Sequence, residues 1–448
     1  MADFRIKQGY TVPILGEAAR ELSDMLNPAF VGVCPVAFPG LKPRLDVSVD
    51  AEVKVGTRLF HDKKDPDVRF LSPAAGRVTA INYGPRRVIE EIIIATNGSN
   101  DSESFAKHDL AGIASMNRET LVAELREGGV WPFIRRRPFN KIASNEETPK
   151  SIFVNCMDTA PLANDPNFSI KDKQEAFKAG VAAMRVLCDQ VHLCMAPNAA
   201  NQFKSIDGVS SHTFEGKHPA GLTGTHISQV SPINKGEVVW TVNARDVVLV
   251  GDLLLNGTYP TERIVAVAGP GASEPRYWRT RLGVRINDLV GDKTADGEQR
   301  FISGNVLSGQ QKNAQGFLGF YDDLITVIPE GREQHFIGWM MPGMDRPSYT
   351  RNYLSGIFGG KGFKMNTNLN GGRRTIIQSG IWDRVTSLDV FPEFLVKACL
   401  AEDIDAMERL GILECDPEDF ALCTYICPSK TEVSQIIAEG LELMEREG

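Results

Sequence analysis

The cysteines near the end of the chain have the spacing of an iron–sulfur motif. Residues 415–430 read CDPEDFALCTYICPSK, and Cys423 and Cys427, followed by Pro428, match the second half of the bacterial ferredoxin pattern C-x₂-C-x₂-C-x₃-C-P. The two other thiolates belong at positions 417 and 420, which hold proline and phenylalanine and cannot ligate iron. Cys415 stands at a different spacing. The pattern leaves open a degenerate cluster site and a pair of ordinary buried thiols, and we expect no disulfide in a reducing compartment.

Two histidines flank a glycine-rich stretch. His218 and His226, in GKHPAGLTGTHI, are eight residues apart. A metal ion would need further ligands that converge on it, so the pair alone does not indicate a metal site. We expect these side chains to form hydrogen bonds within the loop, with proton donation to a substrate as the alternative.

Length and composition exclude several classes of protein. At 448 residues the chain is too long for one core, so three or four domains are expected. The net charge of −8 argues against a nucleic-acid partner. We expect no secretory signal, because the first twenty residues contain no apolar h-region. We also expect no transmembrane helix, because the best apolar run, Val247 to Leu255, is interrupted by Gly251 and Asp252. The eight cysteines are then expected to be reduced thiols.

The first hundred residues are predicted to be all-β. The arrangement VKVG, LFHDKK and SPAAGRV resembles a biotinyl/lipoyl-type barrel-sandwich domain, which we place at residues 1–104. In that family a carrier lysine lies on a hairpin tip, near Lys63 here. Because Lys64-Asp65-Pro66 follows instead of a small residue, we expect Lys63 to be unmodified.

The rest of the chain predicts an α/β multidomain protein. Residues 105–256 alternate strands and helices, as a Rossmann-like α/β domain does, with 245–255 compatible with either element. No GxGxxG follows the first strand, so the sheet alone does not indicate NAD. Residues 257–330 are predicted to form a small β-rich module. Residues 331–448 are predicted to be a glycine-rich segment followed by a C-terminal helical domain.

Four long segments, in this domain order, resemble one protein family. They are RRPFNKIA, HPAGLTGTH, RYWRTRLGVRINDLVGD and RFISGNVLSG. They are similar to the NqrA family of the Na⁺-translocating NADH:quinone reductases, which is related to the flavin-binding subunit of respiratory complex I and to the C subunit of the Rnf complex. The resemblance runs from end to end. It implies that the 257–330 module is a β-grasp domain and that the cysteine stretch is a degenerate ferredoxin insert without iron.

Two sequence departures are informative within this resemblance. Flavin- and NADH-binding relatives carry a GGAGFP loop whose backbone cradles phosphate, and the matching stretch here reads GGVWPF, with Val130 and Trp131 in place of small residues. The relatives also carry N-x-x-E-x-E-P, which here reads NCMDTAP, so one acid is Asp158 and the other is Ala160. We therefore expect no tightly bound flavin or NADH.

The role that the resemblance leaves for this chain is quinone handling, and WPFIRRRPFNK, residues 131–141, is the first candidate site. Aromatic rings offer flat apolar surface to a quinone, and cations stabilise the charge that grows on its oxygens during reduction. The same cations could instead face anionic lipid or an acidic partner, or the stretch could be a solvated basic loop over packed aromatics. The predicted contacts are Trp131, Phe133, Arg135, Arg136, Arg137, Phe139 and Lys141.

The second candidate is the apolar, proline-punctuated stretch FVGVCPVAFPG at residues 30–40. It is suited to wall a pocket for an isoprenoid tail or to dock on an apolar partner, and buried core is the open alternative. The predicted contacts are Val33, Pro35, Phe38 and Pro39.

The resemblance also implies partners and a location. We expect ubiquinone as a substrate, no catalytic residue and no metal on this chain, and NADH, FMN, FAD, riboflavin and Fe–S groups on other subunits. The chain is expected to lie at the cytoplasmic face of the bacterial inner membrane, beside a membrane-embedded flavin-carrying subunit, and to be non-catalytic alone. A structural adaptor without a quinone site, and a flavin- or NADH-binding oxidoreductase, are the alternatives; Trp131 and Ala160 count against the latter.

Overall fold

The computed structural model describes residues 2–204, 206–291, 293–332, 338–358 and 362–448, with every side chain in those ranges except that of Trp339. Within these ranges, no helix is both long enough and apolar enough to cross a lipid bilayer.

The strands, numbered along the chain, are β1 (Ala2–Arg5), β2 (Ala19–Met25), β3 (Phe30–Val33), β4 (Pro43–Leu45), β5 (Glu52–Val53), β6 (Arg58–Asp62), β7 (Arg69–Leu71), β8 (Gly76–Tyr83), β9 (Ile89–Thr96), β10 (Arg135–Arg137), β11 (Lys141–Ile142), β12 (Ser151–Asn155), β13 (Val191–Met195), β14 (Ser210–Glu215), β15 (Val239–Asn243), β16 (Glu262–Ala268), β17 (Arg276–Arg281), β18 (Gln299–Ser303), β19 (Gln310–Lys312) and β20 (Leu324–Pro329). The helices are α1 (Leu110–Ser115), α2 (Arg118–Glu127), α3 (Pro166–Ser169), α4 (Gln174–Leu187), α5 (Asn201–Lys204), α6 (Thr223–Val230), α7 (Ala244–Asn256), α8 (Ile286–Val290), α9 (Ser355–Phe358), α10 (Pro392–Leu400), α11 (Ile404–Arg409), α12 (Ala421–Ile426) and α13 (Val433–Glu447).

Two antiparallel sheets share the core of the N-terminal region. One has the strand order β3-β9-β8-β5 and the other β4-β6-β7. β-Branched residues supply the inner faces; Val78, Ile92 and Ile94 are fully buried. The sequence predicts a strand pair that turns at residues 73–76, but β7 and β8 lie in different sheets, because the chain crosses from one sheet to the other there. Lys63 lies in the turn between β6 and β7.

The first two strands leave this region and bind elsewhere. β1 pairs in parallel with β14, with Phe4 opposite Phe214, and β2 pairs in parallel with β17. The first twenty-five residues therefore contribute strands to two sheets outside the N-terminal region. The sequence had placed these residues in the barrel-sandwich domain.

A seven-stranded sheet of order β1-β14-β13-β12-β15-β10-β11 forms the centre of the molecule. Strands β1, β14, β13, β12 and β15 are parallel, whereas β10 and β11 complete one edge in antiparallel pairing. The stretch 245–255, compatible with strand or helix from its sequence, lies in α7. A Cβ on Gly180 of α4 would lie 2.0 Å from the Val247 carbonyl oxygen, and one on Gly251 would lie 1.8 Å from that of Ala176. The two glycines therefore allow backbone contact between α4 and α7.

The glycine-rich stretch around His218 and His226 contains more regular structure than its composition indicates. It starts directly after β14 and ends in α6. Its glycines are sites of close approach: a Cβ on Gly221 would lie 2.7 Å from the backbone nitrogen of Thr159.

A six-stranded sheet of order β19-β18-β20-β16-β17-β2, with α8, lies beside the central sheet. The side chains of Val265, Ile325 and Val327 are fully buried in its core. Beyond β20, the described residues 338–358 and 362–378 contain short turns and α9, and α10 to α13 then pack around a separate hydrophobic core. In that core a Cβ on Gly440 would lie 2.6 Å from Cys399 Sγ, so α10 and α13 pack at close range.

Candidate functional site

A cleft of about 540 Å³ opens at the carboxyl ends of β12 and β15, where parallel sheets commonly bind ligands. Three regions form its walls. The central sheet and the start of α7 supply Arg135, Asn155, Asn243 and Arg245; the stretch before β20 supplies Phe320, Tyr321, Asp322 and Asp323; and the C-terminal region supplies Asp416, Glu418 and Ser434. The cleft is thus assembled from residues that are far apart in sequence.

The two predicted stretches meet at one aromatic side chain. The ring of Phe320 stacks on that of Phe133 at 4.3 Å, and it also contacts the ring of Phe38 at 4.9 Å, in both cases between ring centroids. Ala37, next to Phe38, lines the cleft. On the other side, Val33 lines a narrow cavity that Phe320 also borders. The structure therefore brings residues 30–40 and 131–141 together around the edge of one cleft.

The four basic side chains of residues 131–141 have different surroundings in the structure. Arg136 pairs with Glu147, and Lys141 pairs with Glu445. Arg137 is buried and forms ion pairs with Asp416 at 3.0 Å and with Glu418 at 2.8 Å. Arg135 lines the cleft, with its guanidinium carbon 4.7 Å from the centroid of the Tyr321 ring. Of the four cations, Arg135 is the one that the described carboxylates leave without an ion pair.

The aromatic residues of the same stretch lie mostly in the core. Trp131 is 0 % exposed, donates its indole N–H to the carbonyl oxygen of Ala143 at 2.8 Å, and meets Trp240 edge-on. Phe133 is 1 % exposed. Phe139 is half-buried and packs against the C-terminal core. The expectation that Trp131 and Phe133 offer an open surface to a ring is therefore corrected, because burial of their apolar area leaves no free face.

Replacing Trp131 with Ala is expected to destabilise the protein by about 3–5 kcal/mol, because it opens a large cavity in a fully buried region. Thermal or denaturant unfolding of the purified chain measures this. Phe394→Ala, at a side chain that is 52 % exposed, is the control and should change stability little. A loss below about 1 kcal/mol for Trp131→Ala would show that the tryptophan does not hold the core.

The predicted residues of the second stretch divide in a similar way. Val33, Pro35 and Phe38 are buried, whereas Pro39 is exposed. A Cβ on Gly40 would lie 2.7 Å from Lys141 Nζ, so the exposed end of this stretch lies beside the other predicted stretch. The buried-core alternative holds for three of the four residues, and Ala37 is the member of the stretch that reaches the cleft.

The two glycines that match a phosphate-binding loop have a packing role here. A Cβ on Gly128 would lie 2.3 Å from Leu253, and one on Gly129, whose φ is +67°, would lie 2.5 Å from Leu71. Val130, like Trp131, is fully buried against the same core. The loop is thus filled with apolar side chains where a phosphate-binding loop has open backbone N–H groups.

The acidic stretch after β12 does reach the cleft. Asp158 accepts a hydrogen bond from the backbone N–H of Ala160 at 2.7 Å, and Asn155 donates its amide N–H to the carbonyl oxygen of Gly221. The surrounding protein desolvates Asp158, although its side chain is open to the cleft, and raises its pKa to about 6. Asp323, on the facing wall, forms an ion pair with Arg245, while burial raises its pKa. The cleft therefore holds guanidinium groups beside carboxyl groups whose pKa values are raised by burial.

The three cysteines of the degenerate motif are buried and unbridged. Cys423 lies 3.3 Å from the Thr386 hydroxyl, Cys415 bonds to the carbonyl oxygen of Gly411, and Cys427 accepts from the N–H of Thr431. Burial raises the pKa of Cys423 to about 12, which disfavours the thiolate that iron requires. In the described ranges, no three histidine, cysteine or acidic side chains converge in a way that could hold a metal ion.

Both histidines of the glycine-rich stretch are buried and neutral. His226 is 0 % exposed and donates from Nε2 to the carbonyl oxygen of Ala220 at 3.0 Å, and His218 lies 3.3 Å from the Thr159 hydroxyl. Burial lowers the pKa of His226 to about 3 and that of His218 to about 4. The bond of His226 lies within the loop, as predicted, whereas His218 contacts Thr159, which lies outside the loop.

The protein should lose stability as the pH falls from 6.5 to 4.5, because the unfolded histidines take up protons there and the folded ones do not. With folded pKa values below the unfolded value of about 6.5, the two groups together contribute on the order of 4 kcal/mol over that interval. Urea unfolding of the wild type and of His218→Gln/His226→Gln at several pH values tests this. The double variant should show a shallower decline than the wild type or His108→Gln, and equal slopes would refute the assignment.

Several residues of the cleft carry signals that the sequence analysis did not use. Phe320 to Asp323 form an aromatic–acidic run, FYDD, directly before β20, and Arg245 is the second residue of α7, which follows β15 directly. Both positions follow or precede a strand, where ligand-binding residues of α/β proteins concentrate. The acidic group 416–419 lies inside the cysteine motif and was overlooked because the spacing of the thiols was the stronger pattern.

Comparison with known proteins identifies the family. Family models described as the NqrA N-terminal barrel-sandwich hybrid domain, the NqrA second alpha/beta domain and the NQRA C-terminal domain match residues 4–97, 116–259 and 264–314, respectively. The first match confirms the barrel-sandwich prediction. An NAD⁺-reducing [NiFe]-hydrogenase shares 12 % identity with a TM-score of 0.38 over 77 % of this chain and 66 % of that one, which is too low a similarity to carry an argument.

The relatives agree with the family models. The chain is 38 % identical to the A subunit of the Na(+)-translocating NADH-quinone reductase of Vibrio parahaemolyticus over 99 % of both chains. It is 38 % identical to the A subunit from Saccharophagus degradans over 99 % of this chain and 100 % of that one, and 39 % identical to that from Mannheimia succiniciproducens over 99 % of both. The chain therefore belongs to the NqrA family, the A subunits of the Na⁺-translocating NADH-quinone reductases.

Proposed function

We propose that this chain is a peripheral subunit of a Na⁺-pumping NADH:ubiquinone oxidoreductase and that its cleft holds the quinone head group. The observation that carries the proposal is the meeting of Ala37, Arg135, Phe320 and Tyr321 at one edge of the cleft. The relatives are named as subunits of NADH-quinone reductases, which makes a quinone the natural ligand to test.

The edge residues have complementary roles toward a quinone. Phe320 and Tyr321 are half-buried and present apolar ring surface, and Arg135 lies over Tyr321 with N–H groups free to donate to a quinone oxygen. Reduction places negative charge on that oxygen, and a guanidinium in a confined cleft stabilises this charge more strongly than water does. Arg135 would thus favour the reduced form over the oxidised form.

The acidic wall suits the proton chemistry of the same reaction. Reduction of a quinone to a quinol consumes two electrons and two protons, and the electrons come from elsewhere in the complex. Burial raises the pKa of Asp158 to about 6, which is close to neutral pH. A carboxyl group exchanges protons with a substrate most efficiently when its pKa is near the working pH. Asp158 is therefore the first candidate for proton transfer, replacing the buried His218 and His226.

The other groups of the complex belong to its other subunits in this proposal. NADH, FMN, FAD, riboflavin and Fe–S centres lie elsewhere, and the chain docks at the cytoplasmic face beside a membrane-embedded flavin-carrying subunit. Two features support this division. The filled GGVWPF loop lacks the open backbone that phosphate needs, and burial raises the pKa of Cys423, which disfavours the thiolate that iron needs.

Calorimetric titration of the full chain with ubiquinone-1 tests the quinone site. Saturable binding to one site is expected, and an analogue that carries the same ring substituents without the two carbonyl oxygens should bind about tenfold more weakly or worse, because it cannot accept from Arg135. Binding that does not distinguish the two compounds would contradict a site built around that cation.

A structural adaptor is the second candidate, and one observation favours it. Arg136, Arg137 and Lys141 are engaged by carboxylates, and Trp131 and Phe133 are core residues, so most of the predicted quinone contacts already have structural roles. An adaptor would assemble the complex without affecting its affinity for quinone. Arg135→Gln chains that assemble fully and leave quinone affinity unchanged would establish it.

A further inference from the structure

One part of the surface concentrates exposed apolar side chains. In the described ranges, eighteen large apolar side chains are exposed, and eight of them fall within residues 338–358 and 362–378, which are less than a tenth of those ranges. We call these two stretches the apolar–basic surface. Its exposed members are Met340, Met341, Met344, Leu354, Ile357, Phe358, Leu369 and Ile377. Isolated exposed apolar residues are common, but a concentration of this kind marks an interaction site.

The exposed residues of the first stretch belong to one folded loop. The backbone N–H of Leu354 donates to the carbonyl oxygen of Pro342 at 2.9 Å, which brings Met341 and Met344 next to the start of α9. The N–H of Phe358 donates to the carbonyl oxygen of Leu354 at 2.8 Å, so Ile357 and Phe358, which are 74 % and 71 % exposed, follow one turn later. The four side chains therefore project from a single compact structure.

The loop is attached to the body of the protein. The ring of Tyr349 meets that of Tyr10 edge-on at 5.2 Å, and Phe363 forms a bridge with Ile14. At the far end the backbone N–H groups of Ser379 and Gly380 donate to Glu393 of α10, which carries Phe394. Phe394 is 52 % exposed, so the apolar area continues onto that helix.

The charge of this surface is opposite to that of the chain. Its described residues carry five basic side chains and one acid, Asp345, in a chain whose net charge is −8. Arg373 forms an exposed ion pair with Glu432, whereas Arg346, Arg351, Lys364 and Arg374 form none with the described carboxylates. The remainder of the molecule is correspondingly more acidic, so the cations are not a general property of the surface.

We propose that the apolar–basic surface binds directly to the anionic lipid headgroups of a bilayer, with Ile357 and Phe358 inserted at the interface. Apolar and aromatic side chains bordered by arginine and lysine are the composition of interfacial membrane anchors. Each cation near an anionic leaflet adds to the binding, and the acidic remainder of the chain is repelled by that leaflet, which orients the molecule.

A protein partner in the membrane fits this surface less well. Cytoplasmic loops of membrane proteins are enriched in lysine and arginine, so they would repel a surface whose own charge is positive. Anionic headgroups supply the complementary charge along the whole surface. The inference does not depend on the quinone site, because it concerns a different part of the chain.

Sedimentation of the full chain with lipid vesicles tests the inference. The chain is expected to bind vesicles containing about 30 % phosphatidylglycerol roughly tenfold or more tightly than pure phosphatidylcholine vesicles, and about 0.5 M NaCl should remove most of the difference. The variant Ile357→Ser/Phe358→Ser should lose about tenfold in affinity for the anionic vesicles while its thermal unfolding stays unchanged, since both side chains are exposed.

The matched control is Val88→Ser/Leu110→Ser, at two apolar side chains that are 48 % and 45 % exposed elsewhere on the protein. It should bind vesicles as the wild type does. Failure to bind anionic vesicles, equal binding to both vesicle types, or equal losses in the two variants would overturn the proposal. Binding only to vesicles that contain the membrane subunits of the complex would also overturn it and assign the surface to a protein partner.

Discussion

Replacing Arg137 with Gln is expected to lower the free energy of unfolding by about 3–5 kcal/mol, because it strands buried acidic side chains. Arg137 lies on β10 with its side chain 3 % exposed, between Asp416 and Glu418 of the C-terminal region, and Asp419 lies 3.9 Å from it. One cation thus faces three acids. Removing it leaves buried carboxylates without compensation, which costs far more than a surface pair is worth.

The pKa values around Arg137 describe the same balance. Burial raises the pKa of Glu418 and of Asp419, and the guanidinium opposes that rise in both. Without Arg137 the carboxyl groups would have to take up protons or admit water. The cluster therefore holds the C-terminal helical region against the central sheet, beside the cleft that both regions line.

Urea unfolding of the purified chain measures the effect, with Arg136→Gln as the matched control. Arg136 is the preceding residue, and its side chain is 24 % exposed in its pair with Glu147, so a change of about 0–1 kcal/mol is expected. Adding Asp419→Asn to Arg137→Gln should recover part of the loss, because it removes one of the stranded charges. Equal effects of Arg136→Gln and Arg137→Gln would contradict the role of the buried cluster.

The second large effect is expected on ligand binding. Arg135→Gln should raise the Kd of the isolated chain for ubiquinone-1 by about tenfold to a hundredfold, the range for loss of a charge-assisted hydrogen bond of about 1.5–3 kcal/mol. Arg135 lines the cleft, is half-buried, and lies over Tyr321, so its removal leaves the packed core unchanged.

The neighbouring cations provide the controls for this binding experiment. Arg136→Gln and Lys141→Gln remove charges of the same sign a few residues away, but each of these side chains is paired with a glutamate. Neither should change the Kd by more than about twofold. If all three variants weaken binding alike, the effect is one of general positive charge rather than of a directed contact, and the proposed site is wrong.

The sequence was a good guide to elements whose apolar pattern decides their burial. The spacing of Phe177, Val181 and Met184 predicts an amphipathic helix, which the structure has as α4. The apolar run around Phe153 predicts a buried strand, which the structure has as β12. It was a poor guide to pairing. Strands β1 and β2 belong to sheets formed by later parts of the chain, and β7 and β8 belong to two different sheets. Contacts between residues far apart in the chain decide which strands pair, and a local pattern does not show them.

The candidate site illustrates the same distinction between composition and environment. The sequence presents Arg135, Arg136 and Arg137 as equivalent, and the structure gives them a cleft, a surface glutamate and a buried acidic cluster. Strand alternation already places adjacent side chains on opposite faces. The acids around Arg137, however, lie in the C-terminal region, at positions that no local pattern connects to β10.

The aromatic residues were misplaced for a related reason. Trp131 and Phe133 were predicted to face a ligand because large rings beside cations suit a quinone, but the same rings are also the largest apolar groups available to a core. Phe320 and Tyr321, for which no ligand contact was predicted, line the cleft where Trp131 and Phe133 were expected. Which ring is buried depends on the packing of three regions at once.

The most direct test of the central claim is the KM for ubiquinone-1 of the assembled reductase carrying Arg135→Gln, compared with the wild type and with Arg136→Gln. The account predicts that KM rises about tenfold or more for Arg135→Gln alone. NADH oxidation with an artificial electron acceptor, which bypasses the quinone, should stay at the wild-type rate in all three. An unchanged KM in a fully assembled Arg135→Gln complex would contradict the claim that this chain holds the quinone during turnover.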